Sequence, residues 1–272
     1  MKRKYLYPVL IVAITLVLFL VERYVDEQNE DYPDTSSVSS DFKGLEFDKS
    51  FLPSSTTGAV VGHTFFTLSY AEKHEQAEWV AYELAKKHLS KADIERPYFI
   101  EDRSVKTKSA DWRNYKNSGY DRGHLCPAGD RRFDYDAYHE TFLTSNISPQ
   151  NNDFNAGIWN RLEQKTRYWA QKYDGVYVVT GGVLKNGLKT IGDENVSVPD
   201  EFYKIILDKK DGAYYAIAFL IPNEPNNKSF FDYIVTIDTL EKKTGIDFFP
   251  NLHEAIQRQI ESTIDLKTWN KR

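Results

Sequence analysis

The hydrophobic and polar positions of this chain follow two different spacings, and each spacing predicts a different kind of element. Residues 176–181 form a continuous apolar run that is typical of a central strand. Residues 202–207 and 213–221 are rich in β-branched and aromatic side chains, and the polar residues 208–212 between them predict a hairpin. Residues 155–173 carry apolar side chains at helical spacing and predict an amphipathic helix.

Shorter segments complete the predicted elements. They are a strand at 63–70, an amphipathic helix at 72–88, a short strand at 97–100, a buried connection with inward-facing polar groups at 142–150, and a helix at 237–244 that ends at Gly245. Strands and helices are mixed without the regular alternation of βαβ units. The sequence therefore predicts the α+β class, with a central, mostly antiparallel sheet flanked by helices.

The first 22 residues predict a membrane segment. Three basic residues precede an uncharged run at 5–21, which would cover about 25 Å as a helix with a rise of ~1.5 Å per residue. Acidic residues follow the run, so the positive-inside rule places the amino terminus in the cytoplasm. We therefore expect an N-terminal transmembrane helix that anchors the rest of the chain on the non-cytoplasmic side, periplasmic or extracellular. A cleaved signal peptide is the alternative, and it would make the protein secreted.

Two further segments follow the apolar run. Residues 23–57 are rich in Ser, Asp, Glu and Pro and offer little to bury, which predicts a flexible linker. Residues 58–272 are then expected to form a single domain. Cys126 is the only cysteine, so the domain has no internal disulfide and the chain has no Cys/His zinc set.

Charge is distributed unevenly along the chain. The net charge of −5 argues against a protein that coats itself in nucleic acid through its overall field. Residues 103–132, called the basic segment below, contain eight bases and three acids, a balance of 8 − 3 = +5, with tyrosine and tryptophan among them. This mixture favours a track for phosphates with stacking platforms, although a solvated basic loop would look the same.

Residues 120–124 read Tyr-Asp-Arg-Gly-His and form the first candidate site. Hydrolysis of a phosphodiester requires an activated water and positive charge on the phosphate oxygens. Histidine is the natural base near neutral pH, so His124 is the candidate base. Arg122 is a candidate to hold phosphate or to brace the loop, with Asp121 as its partner. A single histidine is more often an ordinary core or surface residue, so this motif alone decides nothing.

Asn155, at the start of the predicted helix, forms the second candidate site. Mg²⁺ dehydrates reluctantly, so one neutral protein oxygen together with a substrate phosphate can hold it. Asn155 fits that role. Helix capping is the alternative interpretation, and Asn151, Asn152 and Asp153 compete for the start of the same helix.

The predicted helix also carries a ridge of residues four positions apart, which are Asn155, Trp159, Glu163 and Arg167. Such residues drift by only ~40° per step around a helix, so one polar ridge would extend outward from the metal. Glu163 would order water around the metal, and Arg167 would neutralise charge on the phosphate. An ordinary exposed, salt-bridged face is the alternative.

Several motifs taken together are similar to those of one known family. They are 120–124, Thr-Ser-Asn-Ile-Ser-Pro-Gln at 144–150, Asn-x-Gly-x-Trp-x-x-Leu-Glu at 155–163, and the segments 76–82, 202–204, 218–223 and 241–249. From His63 to Leu252 the chain resembles the DNA/RNA non-specific endonuclease family of ββα-metal (His-Me finger) nucleases. The resemblance implies the ββα-metal fold.

The resemblance also implies roles for individual residues. The catalytic set would comprise His124, Arg122, Asn146, Glu163 and Arg167, with Asn155 as the metal ligand. His124 is expected to act as general base, Asn155 to bind a single Mg²⁺ with Mn²⁺ as an alternative ion, and Asn146 to orient the site. Glu163 and Arg167 would assist at the metal and the phosphate. Members of the family cut single- and double-stranded DNA and RNA with little sequence preference and leave 5′-phosphates.

One departure from the family pattern concerns substrate binding. Relatives carry an arginine upstream of a Phe-x-x-Asp pattern. Here Arg96, which precedes Phe99, is displaced by one residue, and Arg103 is the other candidate.

Two other functions compete with a nuclease. A non-catalytic surface receptor for extracellular nucleic acid is the main alternative, because the basic segment would serve it equally well. A phosphodiesterase for small nucleotides would need a closed pocket, which nothing in the sequence indicates. No protein partner follows from the sequence, and a homodimer is left open.

Overall fold

The computed structural model describes residues 49–266 and residue 269. They lie in one compact unit, Gly44–Arg272. The strands of this described part are β1 (Val60–Gly62), β2 (Thr67–Ala71), β3 (Gln76–Ala85), β4 (Asp121–His124), β5 (Ile147–Gln150), β6 (Gly175–Gly182), β7 (Thr190–Ile191), β8 (Val196–Ser197), β9 (Glu201–Lys210), β10 (Ala213–Pro222) and β11 (Ile234–Val235). Its α-helices are α1 (Tyr135–Glu140), α2 (Asn152–Phe154), α3 (Asn160–Tyr173), α4 (Ile237–Thr244) and α5 (Glu254–Glu261). Short 3₁₀ helices lie at Lys49–Phe51, Glu72–His74, Lys86–Leu89, Trp112–Tyr115, Ala128–Asp130, Thr144–Asn146 and Phe230–Tyr233.

One large sheet organises the fold. Its seven strands follow the order β1-β2-β3-β6-β9-β10-β11, and every neighbouring pair is antiparallel. Two small sheets, β4-β5 and β7-β8, lie outside it. The predicted α+β class with a central antiparallel sheet is confirmed.

The large sheet is covered by apolar side chains on both faces. On β9, Phe202 and Ile206 belong to one apolar cluster, while Tyr203 and Ile205 belong to a second cluster. Successive residues of a strand point to opposite faces, so the two clusters lie on opposite sides of the sheet. The first cluster, which also contains Trp159, is called the Trp159 face below, and the second is called the Phe248 face after one of its members.

Strand β3 corrects one prediction from the sequence. Residues 72–88 were predicted to form an amphipathic helix, but β3 pairs with β2 on one side and β6 on the other. All but one of its ten residues are buried. A strand buried on both faces has no alternation of polar and apolar positions, and its apolar residues also satisfied helical spacing.

The hairpin of β9 and β10 and the helix α4 were predicted correctly. The hairpin turns at Asp211 and Gly212, whose φ angles of 51° and 80° both lie in the left-handed region. Two such residues form the turn that matches the twist of a hairpin. Helix α4 ends at Gly245, whose φ is 75°, as the sequence predicted.

Other predicted segments differ in extent. The strand expected at 63–70 is β2, which begins later, at Thr67. The strand expected at 97–100 is reduced to a single parallel bridge between Ile100 and Leu143. The buried connection predicted at 142–150 is confirmed, because every residue of 144–150 is buried, and its last four residues form β5.

Two short strands and a helix follow one another around the candidate residues. Strands β4 and β5 pair from Asp121 opposite Gln150 to His124 opposite Ile147. Between them Gly123 faces the Gln150 side chain so closely that a Cβ at position 123 would lie 2.2 Å from it. A side chain at position 123 would therefore force the buried Gln150 side chain to move. The helical segment that starts with α2 comes directly afterwards, an order consistent with the ββα-metal fold.

The helix predicted at 155–173 begins earlier and is interrupted. Helix α2 starts at Asn152, and the side chain of Asn151 accepts hydrogen bonds from the first turn. A π-type turn at Asn155–Trp159 separates α2 from α3, and Gly157 there has φ −97° and ψ −106°, outside the helical region. The single polar ridge predicted from positions four apart is therefore wrong, because Trp159 is fully buried.

The described residues include the end of the segment predicted to be a linker, 23–57. Within it, the Phe51 ring packs 4.4 Å from that of Tyr177, and Trp79 Nε1 donates a hydrogen bond to the Ser54 carbonyl at 2.9 Å. These contacts place the start of the packed domain before the boundary expected from the sequence. The transmembrane helix predicted in residues 1–22 lies outside the described residues. Among the residues that are described, no helix is both long and apolar enough to cross a membrane.

Candidate active site

His124 is the last residue of β4, and its ring is held between two aromatic side chains. The ring centroids of Phe99 and Phe142 lie 5.5 Å and 5.0 Å from that of His124. His124 Nε2 is buried and has no hydrogen-bond partner among the described residues. Burial of the ring, with the Arg96 guanidinium nearby, lowers the pKa of His124 to about 3. The imidazole is therefore neutral near neutral pH and has a lone pair to accept a proton.

Two arginines share the aromatic surroundings of His124. The Arg96 guanidinium carbon lies 5.7 Å from the centroid of Phe99, and that of Arg122 lies 4.9 Å from the same ring. These distances are within the range of cation–π attraction. Arg103, in contrast, is exposed in a turn and makes no ring contact or ion pair with the described residues. The structure thus brings Arg96 and Arg122 to His124, but not Arg103, despite the displaced position of Arg96 in the sequence pattern.

Asn155 is attached to β4 through Asp121. Its Nδ2 donates a hydrogen bond to Asp121 Oδ2 at 2.9 Å, and the amide of Asn152 donates to the other oxygen of the same carboxylate. An ionised carboxylate only accepts hydrogen bonds, so the NH₂ group of Asn155 must face Asp121. Asp121 therefore pairs with two asparagines, and the pairing with Arg122 considered from the sequence is not the one observed.

The arrangement at Asn155 fits a hydrated divalent cation. Asn155 Oδ1 accepts no hydrogen bond from the described residues, and capping of the helix is performed by Asn151. A free neutral oxygen beside the Asp121 carboxylate is the donor chemistry that Mg²⁺ takes, and such an ion keeps several waters. The residues present therefore suit the role of a minimal metal ligand set.

Asn146 fixes the backbone that follows His124. This asparagine is fully buried, its Oδ1 accepts a hydrogen bond from Cys126 N at 2.8 Å, and its Nδ2 donates to the carbonyls of Cys126 and Thr141 at 3.0 Å and 2.9 Å. Leu125 N also donates to the Asn146 carbonyl at 2.9 Å. Asn146 therefore ties the chain that follows His124 to the end of α1. The same contacts hold the backbone of Cys126. Its thiol is buried, and this burial raises the pKa of the thiol to about 12.

Glu163 and Arg167 belong to a partly buried network of charges. Arg167 Nε lies 2.5 Å from Asp130 Oδ1, and its Nη2 lies 3.3 Å from Glu163 Oε2. Tyr82 donates a hydrogen bond to Asp130 Oδ2 at 3.0 Å. Burial raises the pKa of Glu163 to about 7, against the opposing charges of Lys204 and Arg167. Glu163 therefore changes its charge close to neutral pH.

Lys204 is the most deeply buried member of this network. It is fully buried on β9, its Nζ lies 4.8 Å from the centroid of the Trp159 ring, and Nζ has no hydrogen-bond partner among the described residues. Burial lowers its pKa, while the charges of Glu163 and Asp130 oppose the shift. Sequence reasoning assigned no role to Lys204 or Asp130, although Lys204 lies in a segment that resembled the family.

The basic segment is not one continuous phosphate track. Arg131 is buried, and its Nη2 donates to the carbonyls of Phe65 and Glu83, both at 2.9 Å. Arg132 Nε donates to the Ala92 carbonyl at 3.1 Å. These two arginines hold loops together, so only part of the predicted positive charge is available to a ligand.

Comparison with known proteins identifies the family. The family model described as DNA/RNA non-specific endonuclease matches residues 44–255, which is most of the chain. This chain belongs to the DNA/RNA non-specific endonuclease family. The resemblance stated from the motifs is thereby confirmed, and it covers the whole of the candidate site.

Individual members of the family give the same result. "Nuclease EXOG, mitochondrial" of Danio rerio is 38% identical over 214 residues, covering 72% of this chain and 61% of the relative. "Endonuclease G, mitochondrial" of Homo sapiens is 32% identical over 202 residues, covering 69% of this chain and 68% of the relative. A crystal structure of an EndoG/EndoGI complex superposes with a TM-score of 0.66 at 30% identity, covering 71% of this chain and 86% of that chain. The chain thus spans less than two thirds of the EXOG relative's length.

These relatives correct the predicted location. Both named relatives are mitochondrial nucleases, whereas the sequence predicted a domain anchored on the periplasmic or extracellular side of a membrane. That prediction is wrong. It rested on hydrophobic length and flanking charge, and different kinds of N-terminal segment share these two properties, so they do not identify a compartment.

Proposed function

We propose that this member of the family is a metal-dependent endonuclease that hydrolyses phosphodiester bonds of DNA and RNA without sequence preference. The observation that carries the proposal concerns the two ends of β4. A neutral His124 lies at one end. At the other end, Asp121 accepts a hydrogen bond from the Asn155 amide group, and the amide oxygen of Asn155 remains free. A base and a metal ligand on one short strand are the minimum for this reaction. Assembly of this chain into a homodimer, which the sequence left open, stays a prediction.

His124 is the proposed general base. A nitrogen with a pKa of about 3 is a weak base, and Arg96 contributes to that low value. A phosphate bound between Arg96 and Arg122 would offset the positive charge of Arg96 and raise the pKa of His124 toward the working pH. Binding of substrate would therefore strengthen the base at the moment when a water must lose its proton to it.

Asn155 is the proposed ligand of Mg²⁺, through Oδ1, and Mn²⁺ is the alternative ion. When bound, the ion would supply positive charge to the phosphate and to the departing oxygen. Asp121 keeps the Asn155 amide in the orientation that binding requires. Asn146 holds the backbone after His124, so that base and ligand keep their separation.

Glu163 and Arg167 are proposed to assist from α3. Arg167 Nη1 has no hydrogen-bond partner among the described residues, so this nitrogen is left for a phosphate oxygen. Glu163 is an anionic acceptor that can order water when it is ionised. Asp130 holds Arg167 through Nε at 2.5 Å.

Digestion of nucleic acid by the purified full-length chain tests the proposal. With Mg²⁺ we expect supercoiled plasmid, single-stranded DNA and RNA all to be degraded to fragments with 5′-phosphates, and we expect excess EDTA to stop the reaction. Mn²⁺ should restore it. Tight, salt-dependent binding without cleavage under any divalent ion would instead support the receptor and end the proposal.

The pH dependence of cleavage should follow Glu163. Its raised pKa of about 7 means that the active, ionised form is lost as the pH falls through neutrality, whereas His124 stays deprotonated down to a pH of about 3. We expect kcat/KM at saturating Mg²⁺ to fall by about tenfold per pH unit below 7. Rates measured between pH 5 and pH 9 at constant ionic strength check this.

The variant Glu163→Gln separates this cause from others. It keeps the volume of the side chain and removes its titration, so its activity should be low and nearly independent of pH over the same range. If Glu163→Gln keeps the acid limb of the wild-type profile, then the limb belongs to another group.

A further inference from the structure

Three carboxylates meet between α4 and α5, on the opposite face of the sheet from the candidate active site. They belong to Asp238 and Glu241 of α4 and to Glu261, the last residue of α5. One oxygen from each lies within 4.8 Å of the others. Ile237 and Ile260, next to them in sequence, belong to the Phe248 face. The carboxylates are therefore fixed by the packing of both helices against the sheet.

Glu261 is unlike an ordinary surface acid. Only 8% of the residue is exposed, and its Oε1 is buried without a hydrogen-bond partner among the described residues. A buried acceptor that lacks a partner is unfavourable unless a bound ion, water or proton satisfies it. The same Glu261 carboxylate contributes an oxygen to the group formed with Asp238 and Glu241.

No basic side chain in the described part of the chain neutralises the group. Among the described residues, none of Asp238, Glu241 and Glu261 forms an ion pair with Lys, Arg or His, and Asp247 adds a fourth negative charge nearby. Within residues 49–266 and 269, the one hydrogen bond to these carboxylates comes from Phe248 N, which donates to Glu241 Oε1 at 3.1 Å. Like charges held together at a partly buried place repel one another, so a positive species should accompany them.

We propose that Asp238, Glu241 and Glu261 bind a divalent cation of the hard, oxygen-seeking class, with Ca²⁺ as the first candidate. Three oxygens that all lie within 4.8 Å of one another can share one ion at the Ca–O distance of about 2.3–2.6 Å. Asp238 and Glu241 are half-exposed, so waters can complete the six to eight positions that Ca²⁺ takes. The ion would tie α5 to α4 and has no part in the hydrolytic reaction.

A proton is the competing occupant. Burial, followed by the charges of Glu241, Asp247 and Asp238, raises the pKa of Glu261 to about 7. A carboxyl whose pKa is raised in the folded state weakens folding once it ionises, so in the absence of a cation stability should decrease as the pH rises from about 4.5 to 7. A cation reverses this, because it binds the ionised form. The stabilisation by Ca²⁺ should therefore be large at pH 8 and small at pH 5.

Thermal unfolding of the full-length chain, after removal of divalent ions with EDTA, tests the site. At pH 8 we expect Ca²⁺ about 100-fold above its dissociation constant to raise Tm by about 5–10 °C, and the rise at pH 5 to be much smaller. To remove the ion of the candidate active site from the measurement, the titration is repeated in Asn155→Ala, where the rise should persist.

Isosteric variants locate the effect. Glu261→Gln and Asp238→Asn should lose most of the Ca²⁺-dependent rise in Tm and should keep plasmid cleavage with Mg²⁺. Glu254→Gln is the matched control, because Glu254 is an exposed acid of the same helix that pairs with Arg258 at 3.5 Å, and it should keep the full rise. No rise in wild type at pH 8, or an equal rise in Glu261→Gln, would overturn the proposal and leave the proton as the occupant.

Discussion

Replacement of His124 with alanine is expected to lower kcat/KM for plasmid cleavage by on the order of 10²–10⁴-fold. The reason is the position of the ring at the end of β4, where Phe99 and Phe142 hold it in one orientation and its low pKa keeps it neutral. The arginines nearby cannot replace it, because a guanidinium has no lone pair to accept a proton near neutral pH. Initial rates on supercoiled plasmid at saturating Mg²⁺ measure the loss.

Two further variants separate the chemistry from the packing. Alanine leaves space between two aromatic rings, so His124→Asn, which is closer in volume and has no basic nitrogen, should lose as much activity while Tm changes little. His139→Ala makes the same chemical change in α1, where His139 packs edge-on against Tyr135 with ring centroids 3.8 Å apart, and it should retain activity. Free imidazole is expected to restore part of the rate in His124→Ala. Retained activity in both His124 variants would remove His124 from the mechanism.

The parts of the fold that could be predicted have their signals inside a short stretch of chain. The turn at Asp211 and Gly212 and the end of α4 at Gly245 each depend on residues with positive φ, which Gly and Asp tolerate best. Strand β3 has no such local signal. Its identity depends on β2 and β6 lying on either side, and the sequence of β3 alone satisfied helical spacing equally well.

The same distinction applies to the candidate site. His124 and Asn155 were found because each lies in a compact motif, but the network around Arg167 was not. Arg167 bonds Asp130 across 37 positions of sequence, and Lys204 reaches the same network from β9. Pairs of this kind have no periodicity and no fixed spacing, so only the folded structure brings them together.

Interruption of the helix at Gly157 had the largest effect on the predicted geometry. A straight helix from 155 to 173 would have placed Asn155, Trp159 and Glu163 on one ridge. The π-type turn instead directs Trp159 into the core, 5.3 Å from the ring of Phe154, and leaves Asn155 to bond Asp121. A single residue outside helical φ and ψ therefore decides which side chains of this helix can face a metal.

Replacement of Asn155 with alanine is expected to raise the Mg²⁺ concentration needed for half-maximal cleavage by at least about 10–100-fold, the range that follows loss of outer partners of a metal ligand. Asn155 Oδ1 is the proposed direct ligand, so the true loss should lie at or above that range. Cleavage rates measured across a Mg²⁺ titration, together with calorimetric binding of Mg²⁺ in the absence of substrate, measure the change.

Asn152 provides the matched control, because its amide donates to the same carboxylate of Asp121 as that of Asn155. If Asn155 served only to satisfy Asp121, Asn152→Ala and Asn155→Ala would have similar effects. The proposed ligand role instead requires that Asn152→Ala keeps nearly normal Mg²⁺ dependence. Asn155→Asp should fall between the two, since a carboxylate supplies a metal oxygen but cannot donate to Asp121 and repels it. Equal Mg²⁺ affinity in Asn155→Ala and wild type would place the cation elsewhere.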